Sequence, residues 1–358
     1  MWNKTKATER LNISYPIIQG PFGGKFSSAK LLAIVSNAGG MGSFGMHAYT
    51  PEEILQIDRE IKSLTKNTYA LNLWVPFQND PLADYTGSQF DELKKRFKPY
   101  FDEMNVELPK KADATGQNFE RQVESILKAG PPVVSFVFGV PSSQIIQEFK
   151  KRGIILIATA TTLEEAQVIE EVGIDLVVAS GLEAGGHRGS FLKTAEESLT
   201  NTRLLIHQIV DNVKIPVIAA GGISNGKDIA DVLKMGAAAA QLGTAFLATD
   251  ESNATQYHKA KLLSETPFET DLSRIFTGRL ARAISNRLSQ EFNNADHASI
   301  APFPIQSNFL SGLRTAAIEQ GRYDLVTFWS GQIASALKHT KAKDLFYALI
   351  EEAQLAYR

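Results

Sequence analysis

Short apolar runs ending in small residues recur along the first 246 positions of this chain, separated by polar, amphipathic stretches. The runs are Tyr15–Gly20, Gly40–Phe44, Tyr69–Val75 and Val133–Phe138, then Ile154–Thr159, Leu176–Ser180, Pro216–Gly221 and Ala238–Phe246. Runs of this length, bounded by glycine and turn residues, predict eight buried strands. The segments between them carry helix signals. Thr50-Pro-Glu-Glu53 offers an N-cap, proline at the first helical position and acids in the first turn. Thr162-Leu-Glu-Glu165 repeats the cap with acids, ahead of a helix closing at Gly173. Ser224 is read as the cap of a helix running to Met235 and stopping at Gly236. Strand and helix alternating predicts a parallel sheet, and eight repeats predict an α/β fold closed into a (β/α)8 TIM barrel. A doubly wound open sheet is the structural rival.

Two stretches break the repeat. Residues 76–118 are too long for a simple crossover and read as a helical insertion within a barrel spanning 1–249. Residues 250–320 follow the eighth strand and read as a smaller, mainly helical cap over the barrel mouth, with an Asn-, Pro- and Phe-rich loop from Asn293 to Phe309. Residues 321–358 read as C-terminal helices packing back on the barrel; Lys343–Glu352 has apolar positions at helical spacing.

Composition narrows the function. With 358 residues and 44% hydrophobic content, the chain is large enough for this architecture. Net charge is −2 with scattered cations, which argues against nucleic acid as a partner. There is no cysteine, so disulfides, thiolate metal sites and cysteine nucleophiles are excluded. No pair of histidines has metal-ligand spacing within a carboxylate cluster, and no metal is expected. The polar start, Met1–Arg10, lacks a signal peptide's apolar region, and no run approaches the ~18 apolar residues of a membrane span, so a cytoplasmic protein without a membrane partner is expected.

Candidate chemistry gathers at strand ends. Val178–Gly189 places His187 in a glycine-rich loop directly after a buried strand, where a barrel enzyme puts its reactive groups. Ala220-Gly-Gly-Ile-Ser-Asn225 follows the seventh strand and Gln241-Leu-Gly-Thr244 ends the eighth. Loops at these two places commonly bind phosphate through backbone N–H groups. Gly40-Met-Gly-Ser-Phe-Gly45 matches a dinucleotide fingerprint, but a helix precedes it and the next begins only near Thr50. It is read as a glycine-rich turn and strand. Of the other histidines, His207 falls on an amphipathic helix, His258 with Lys259 reads as a solvated helix face, and His47, His297 and His339 have no partner motif. Arg279 and Arg282 in the cap are candidates either to anchor an anionic substrate or only to pair with acids, and the structural role is favoured.

Several segments, in order from about Tyr15 to Asn286, resemble the FMN-dependent nitronate monooxygenases. They are Pro16–Pro21, Ser36–Gly40, Asn72–Trp74, Gly185–Gly189, Ala219–Gly222, Gln241–Thr244 and Thr277–Arg282, with weaker echoes at Pro304–Gln306 and Trp329–Gln332. The resemblance implies FMN at the carboxyl mouth of the barrel. It places Asn72 and Gly185 on the flavin, Gln19 and Gly20 beside the isoalloxazine, and Gly221, Gly222, Gln241, Leu242, Gly243 and Thr244 at its phosphate. His187 matches the catalytic histidine. Ser180 stands where the family commonly has glutamine, and Phe22 where methionine is usual. The implied activity is oxidation of small alkyl nitronates, such as propionate 3-nitronate, by O2 to a carbonyl compound and nitrite through a flavin semiquinone. Two alternatives are an FMN-dependent NAD(P)H enoyl-thioester reductase of the same superfamily and a flavin-binding protein without turnover. An oligomer is compatible with all three.

Overall fold

Side chains alternate across a strand, and that alternation organises the barrel seen in a computed structural model of the chain. The structure describes residues 1–358 except 77–81, 83, 293–298 and 334–336. Eleven strands are present among the described residues: β1 (Ile17–Gln19), β2 (Gly42–Gly45), β3 (Tyr69–Trp74), β4 (Val133–Val137), β5 (Ile155–Ala160), β6 (Leu176–Ser180), β7 (Gly186–His187), β8 (Val217–Ala220), β9 (Ala239–Leu242), β10 (Thr270–Ser273) and β11 (Ala281–Ile284). Eight form one parallel sheet in the order β1-β9-β8-β6-β5-β4-β3-β2. A parallel bridge between Ile18 and Met41 closes it. The chain is therefore a (β/α)8 barrel, and the open-sheet rival is set aside.

Two apolar layers follow from the pleat. Ile18, Ala70, Leu176, Val178 and Ile218 point inward to a small core, which Ala7 and Leu11 of the helix Lys6–Leu11 complete. Ile17, Leu71, Leu73, Val177 and Ala179 point outward, beneath the surrounding helices. The glycines of the Gly40–Gly45 segment serve this packing. A Cβ on Gly42 would overlap the Leu32 backbone, and one on Gly45 the carbonyl of Phe22. They permit close approach of helix and loop to β2.

The caps at Thr50 and Thr162 form as predicted, the former as a reciprocal capping box with Glu53. The helix Gly226–Lys234 is capped one residue later than predicted, by Asn225, whose carboxamide accepts from Asp228 N at 2.9 Å. Between β3 and β4 lies the helix Gly87–Glu103, whose Phe97 and Phe101 meet Phe309 beyond β11. The C-terminal helix Ala342–Tyr357 packs on Gly226–Lys234 and on Ala29–Asn37. No helix among the described residues is long and apolar enough to cross a membrane.

One element departs from expectation. His187 lies on a strand, β7, and not in a loop: β7 pairs antiparallel with β11, which pairs with β10. Two residues are too few to show a hydrophobic period, and their partner strand is nearly a hundred positions away in the chain.

Candidate active site

The inward-facing rows of the barrel strands end at its carboxyl mouth, where they border a cavity of ≈ 410 Å³. Strand parity decides which expected residues reach it. Gly20, Asn72, Ser180 and Gln241 continue the inward rows of Ile18, Ala70, Val178 and Ala239, and all four line the cavity. Gln19 and Leu242 fall on the opposite parity and do not line it. The Gln19 carboxamide accepts from Ser43 N at 3.1 Å and donates to the Gly20 carbonyl. Leu242 is fully buried in the outer layer, and its carbonyl accepts from Gly20 N. Both hold the wall together behind the site. Gly185, His187, Gly221, Gly222, Gly243 and Thr244 border the cavity from the loops and from β7.

His187 is fixed by its strand and by a 3.0 Å contact between Nε2 and Thr277 Oγ1. Trp74 and Trp329 lie against it at 5.1 and 5.3 Å between ring centres. Burial, then the positive charge of Arg279, then His47 push its pKa down to about 3, so the ring is neutral near pH 7. The next residue, Arg188, is buried and donates to the carbonyls of Ser180 and Ser198 at 3.1 and 3.0 Å. Burial lowers its pKa to about 10, leaving it a cation that ties the loop around β6.

Glycine lets a strap cross the mouth. A Cβ on Gly185 would sit 2.5 Å from Gly331 N. That amide donates to Thr244 Oγ1 at 2.8 Å, and Gln332 N donates to the Glu183 carbonyl at 2.9 Å. Glu183 in turn accepts from Thr202, whose hydroxyl donates to the Gly221 carbonyl at 3.1 Å. Gly221 and Gly222 hold φ of 119° and 72°, which other residues rarely adopt. Nothing lies within 4 Å of a Cβ built on Gly243, so backbone there faces open cavity.

Sequence reasoning missed His47, two residues beyond β2 and on the cavity wall. Its ring stacks on Trp74 at 3.7 Å, and burial with Arg279 nearby lowers its pKa to about 4. Its position at a strand's carboxyl end was the signal, the same one that singled out His187. His258 and Lys259 are buried, not solvated: His258 Nε2 lies 2.9 Å from the Trp329 carbonyl, and Lys259 Nζ donates to the carbonyls of Asp250 and Ser252. Arg282 is structural, donating to the Leu182 carbonyl at 2.9 Å. Arg279 lies over the rings of Phe138, Phe303 and Trp74 at 4.1, 4.7 and 5.4 Å, a cation–π stack. His207 is exposed beside Asp211, as its amphipathic helix predicts. His297 and the start of the Asn293–Phe309 loop lie outside the described residues.

A barrel with a neutral histidine and glycine backbone facing one enclosed mouth has the architecture of a cofactor-dependent enzyme. The family model for nitronate monooxygenase matches residues 4–352. A probable nitronate monooxygenase of Staphylococcus aureus (strain Newman) is 39% identical over 333 residues, covering 93% of this chain and 92% of the relative. Among solved structures, the nitroalkane oxidase of Streptomyces ansochromogenes superposes with a TM-score of 0.88 at 34% identity over 98% of both chains. FabK from Thermotoga maritima gives 0.71 at 25% identity, over 98% of this chain and 96% of that one. The chain belongs to the nitronate monooxygenase family and is a flavin-dependent monooxygenase.

Proposed function

We propose that this chain binds FMN in the barrel mouth and oxidises small alkyl nitronates with O2 to a carbonyl compound and nitrite, without NAD(P)H. The observation that carries it is the pairing of a neutral His187 with a cavity whose lining, among the described residues, contains no carboxylate. Such a site accepts an anion without charge repulsion. The residues fit FMN: Gly221, Gly222 and Gly243 present backbone to an open cradle, and Asn72, Ser180 and Gln241 supply uncharged donors and acceptors for the ring and ribityl chain. Asn72 Nδ2 already donates to Ser135 Oγ at 3.0 Å, which fixes the amide and aims its oxygen. Gly20 lies where the isoalloxazine would rest, and Thr244 holds the strap over the phosphate end.

FMN, when bound, supplies the electron-accepting chemistry. The protein's part is to bind, orient and exclude water. A nitronate arrives already deprotonated at carbon, so the His187 imidazole serves as a hydrogen-bond donor to a nitro oxygen. With a neutral nitroalkane, the same neutral ring is competent to take the α-proton. The walls of Trp74, Phe303 and Trp329 keep water from the reacting carbon.

The test is the absorption spectrum of the purified protein, followed by anaerobic mixing with ethyl nitronate. Flavin bands that bleach with the nitronate, and nitrite released once air is admitted, are expected. Protein that stays colourless after incubation with FMN overturns the proposal. A second reading, an NAD(P)H-dependent reductase, is favoured by an adjoining cleft of ≈ 1280 Å³, larger than a small nitronate needs. Anaerobic bleaching by NADH would transfer the assignment to it.

A further inference from the structure

Of the three histidines that burial keeps neutral, His187 sets Nε2 against Thr277 Oγ1 and His258 sets Nε2 against the Trp329 carbonyl. His47 differs. Neither of its ring nitrogens has a hydrogen-bond partner among the described residues. The ring is nevertheless held in place. It stacks on Trp74 at 3.7 Å with 5° between the planes, and Gln122 Nε2 reaches the carbonyls of Met46, His47 and Tyr49 at 3.1, 3.2 and 2.8 Å. Nδ1 is sealed from water, whereas Nε2 is not. A sealed N–H without an acceptor is the costlier orphan, which assigns the hydrogen of the neutral ring to Nε2. Gly23 keeps that edge clear: a Cβ there would sit 3.2 Å from Cε1 and 3.9 Å from Nε2 of His47. The outcome is an uncommitted N–H donor on the wall of the barrel-mouth cavity.

The chemistry at His187 leaves a place for such a donor. Thr277 occupies Nε2 of His187, so only Nδ1 is free for substrate. When His187 takes the α-proton of a neutral nitroalkane, the C–H bond breaks, Nδ1 gains the hydrogen and the electron pair moves into the nitro group. Negative charge then builds on the nitro oxygens, and a ring acting as base has no N–H with which to meet it. His47 borders the same space: it stacks on Trp74, and His187 stands nearly perpendicular to that indole at 5.1 Å. Burial and the nearby Arg279 guanidinium keep His47 from protonating, so it lends its N–H and retains it. Resting on the nitronate-oxidising function proposed above, we infer that His47 is a second catalytic residue, whose Nε2–H hydrogen-bonds a nitro oxygen while His187 works at the α-carbon. With a nitronate that arrives already deprotonated, the two rings share the two oxygens.

Two substitutions separate this role from packing. His47→Phe keeps a ring to stack on Trp74 and removes the N–H, whereas His47→Gln restores a donor without the ring. Nitrite, a nitrogen bearing two oxygens like the nitro group, is titrated into FMN-loaded protein and followed by the flavin absorbance, which needs no turnover. His47→Phe weakens its binding about tenfold or more, and His47→Gln recovers part of the loss. In steady-state kinetics His47→Phe lowers kcat/KM about 30-fold for both nitroethane and ethyl nitronate, because the donor serves either form. Loss of a base, in contrast, falls mainly on the neutral nitroethane. Nitrite binding and turnover left unchanged in His47→Phe overturn the inference, since they mean that the ring only packs against Trp74. Loss of FMN from His47→Phe also overturns it and assigns the ring to the cofactor. Wild-type protein that binds no nitrite overturns it even where nitronate oxidation is found. If oxidation is not found, nitrite binding that depends on the His47 donor still upholds the contact.

Discussion

At the scale of single residues, the site rests on one imidazole kept neutral. His187→Asn preserves a donor of similar reach but removes the base, and it loses the fixed geometry given by Thr277. The substitution is expected to lower kcat/KM for neutral nitroalkanes by about 100-fold or more while affecting preformed nitronates less, with flavin absorbance unchanged. Stopped-flow bleaching with the two substrate forms reads the difference. Gln19 makes the contrasting case. Its carboxamide is committed to Ser43 and Gly20, so Gln19→Ala leaves a buried N–H unpaired and costs about 1–3 kcal/mol of stability. Its FMN affinity should stay within about twofold of wild type, and a titration of apoprotein with FMN checks this. That Gln19 and Leu242 lie off the cavity wall was legible in the sequence. Strand parity, counted from the apolar neighbours Ile18 and Ala240, puts them on the outer face. His258 could not have been found this way, because its partner is a backbone carbonyl 71 residues away.

Among elements, the eight barrel strands were legible because each is a buried parallel strand, hence a continuous apolar run with a helix after it. The sheet of β7, β10 and β11 was not legible. Its strands are two to four residues long, two of the three only partly buried, and their pairing is set by distant segments closing over the mouth. The strap at Trp329–Gln332 showed only as a weak echo, since its contacts are made by main-chain groups. Two glycines separate the roles of strap and cradle. Gly185→Ala drives a methyl group against the Gly331 amide and the Ser330 carbonyl carbon, so the apoprotein should lose about 1–3 kcal/mol as the strap shifts. Gly243→Ala meets no protein atom within 4 Å. It should leave the apoprotein's melting temperature unchanged yet weaken FMN about tenfold or more by filling the cradle. Thermal melts with and without FMN distinguish the two, and a Gly243→Ala protein that binds FMN normally would place the phosphate elsewhere.

For the whole molecule, burying histidines ties stability to pH. His47, His187 and His258 all have pKa values pushed down from 6.5, to about 4, 3 and 4, with burial the leading cause in each. The unfolded chain binds protons at these rings near pH 6.5, whereas the folded chain refuses them until lower pH. Between those limits the unfolded state carries more protons, so stability must rise with pH. It is complete above about pH 7 and is lost as pH falls through 6 towards 4. Glu103 and Asp324 act in the same direction: ion pairs with Arg287 and Arg322 hold their carboxyls below the usual range, so the unfolded chain again binds the extra protons as pH falls. For His258, which touches neither substrate nor cavity, the contribution at pH 5 is about 2 kcal/mol. His258→Gln keeps a donor for the Trp329 carbonyl and removes the titration. It should therefore melt at a temperature that declines less between pH 7 and pH 5 than wild type does, even if both values are lower at pH 7. Parallel declines in the two proteins would mean that this ring is protonated, or reaches water, in the folded state. The same slope has a functional side: a bound anion near His187 raises its pKa, so substrate or inhibitor binding is expected to narrow the acid loss that the ligand-free protein shows.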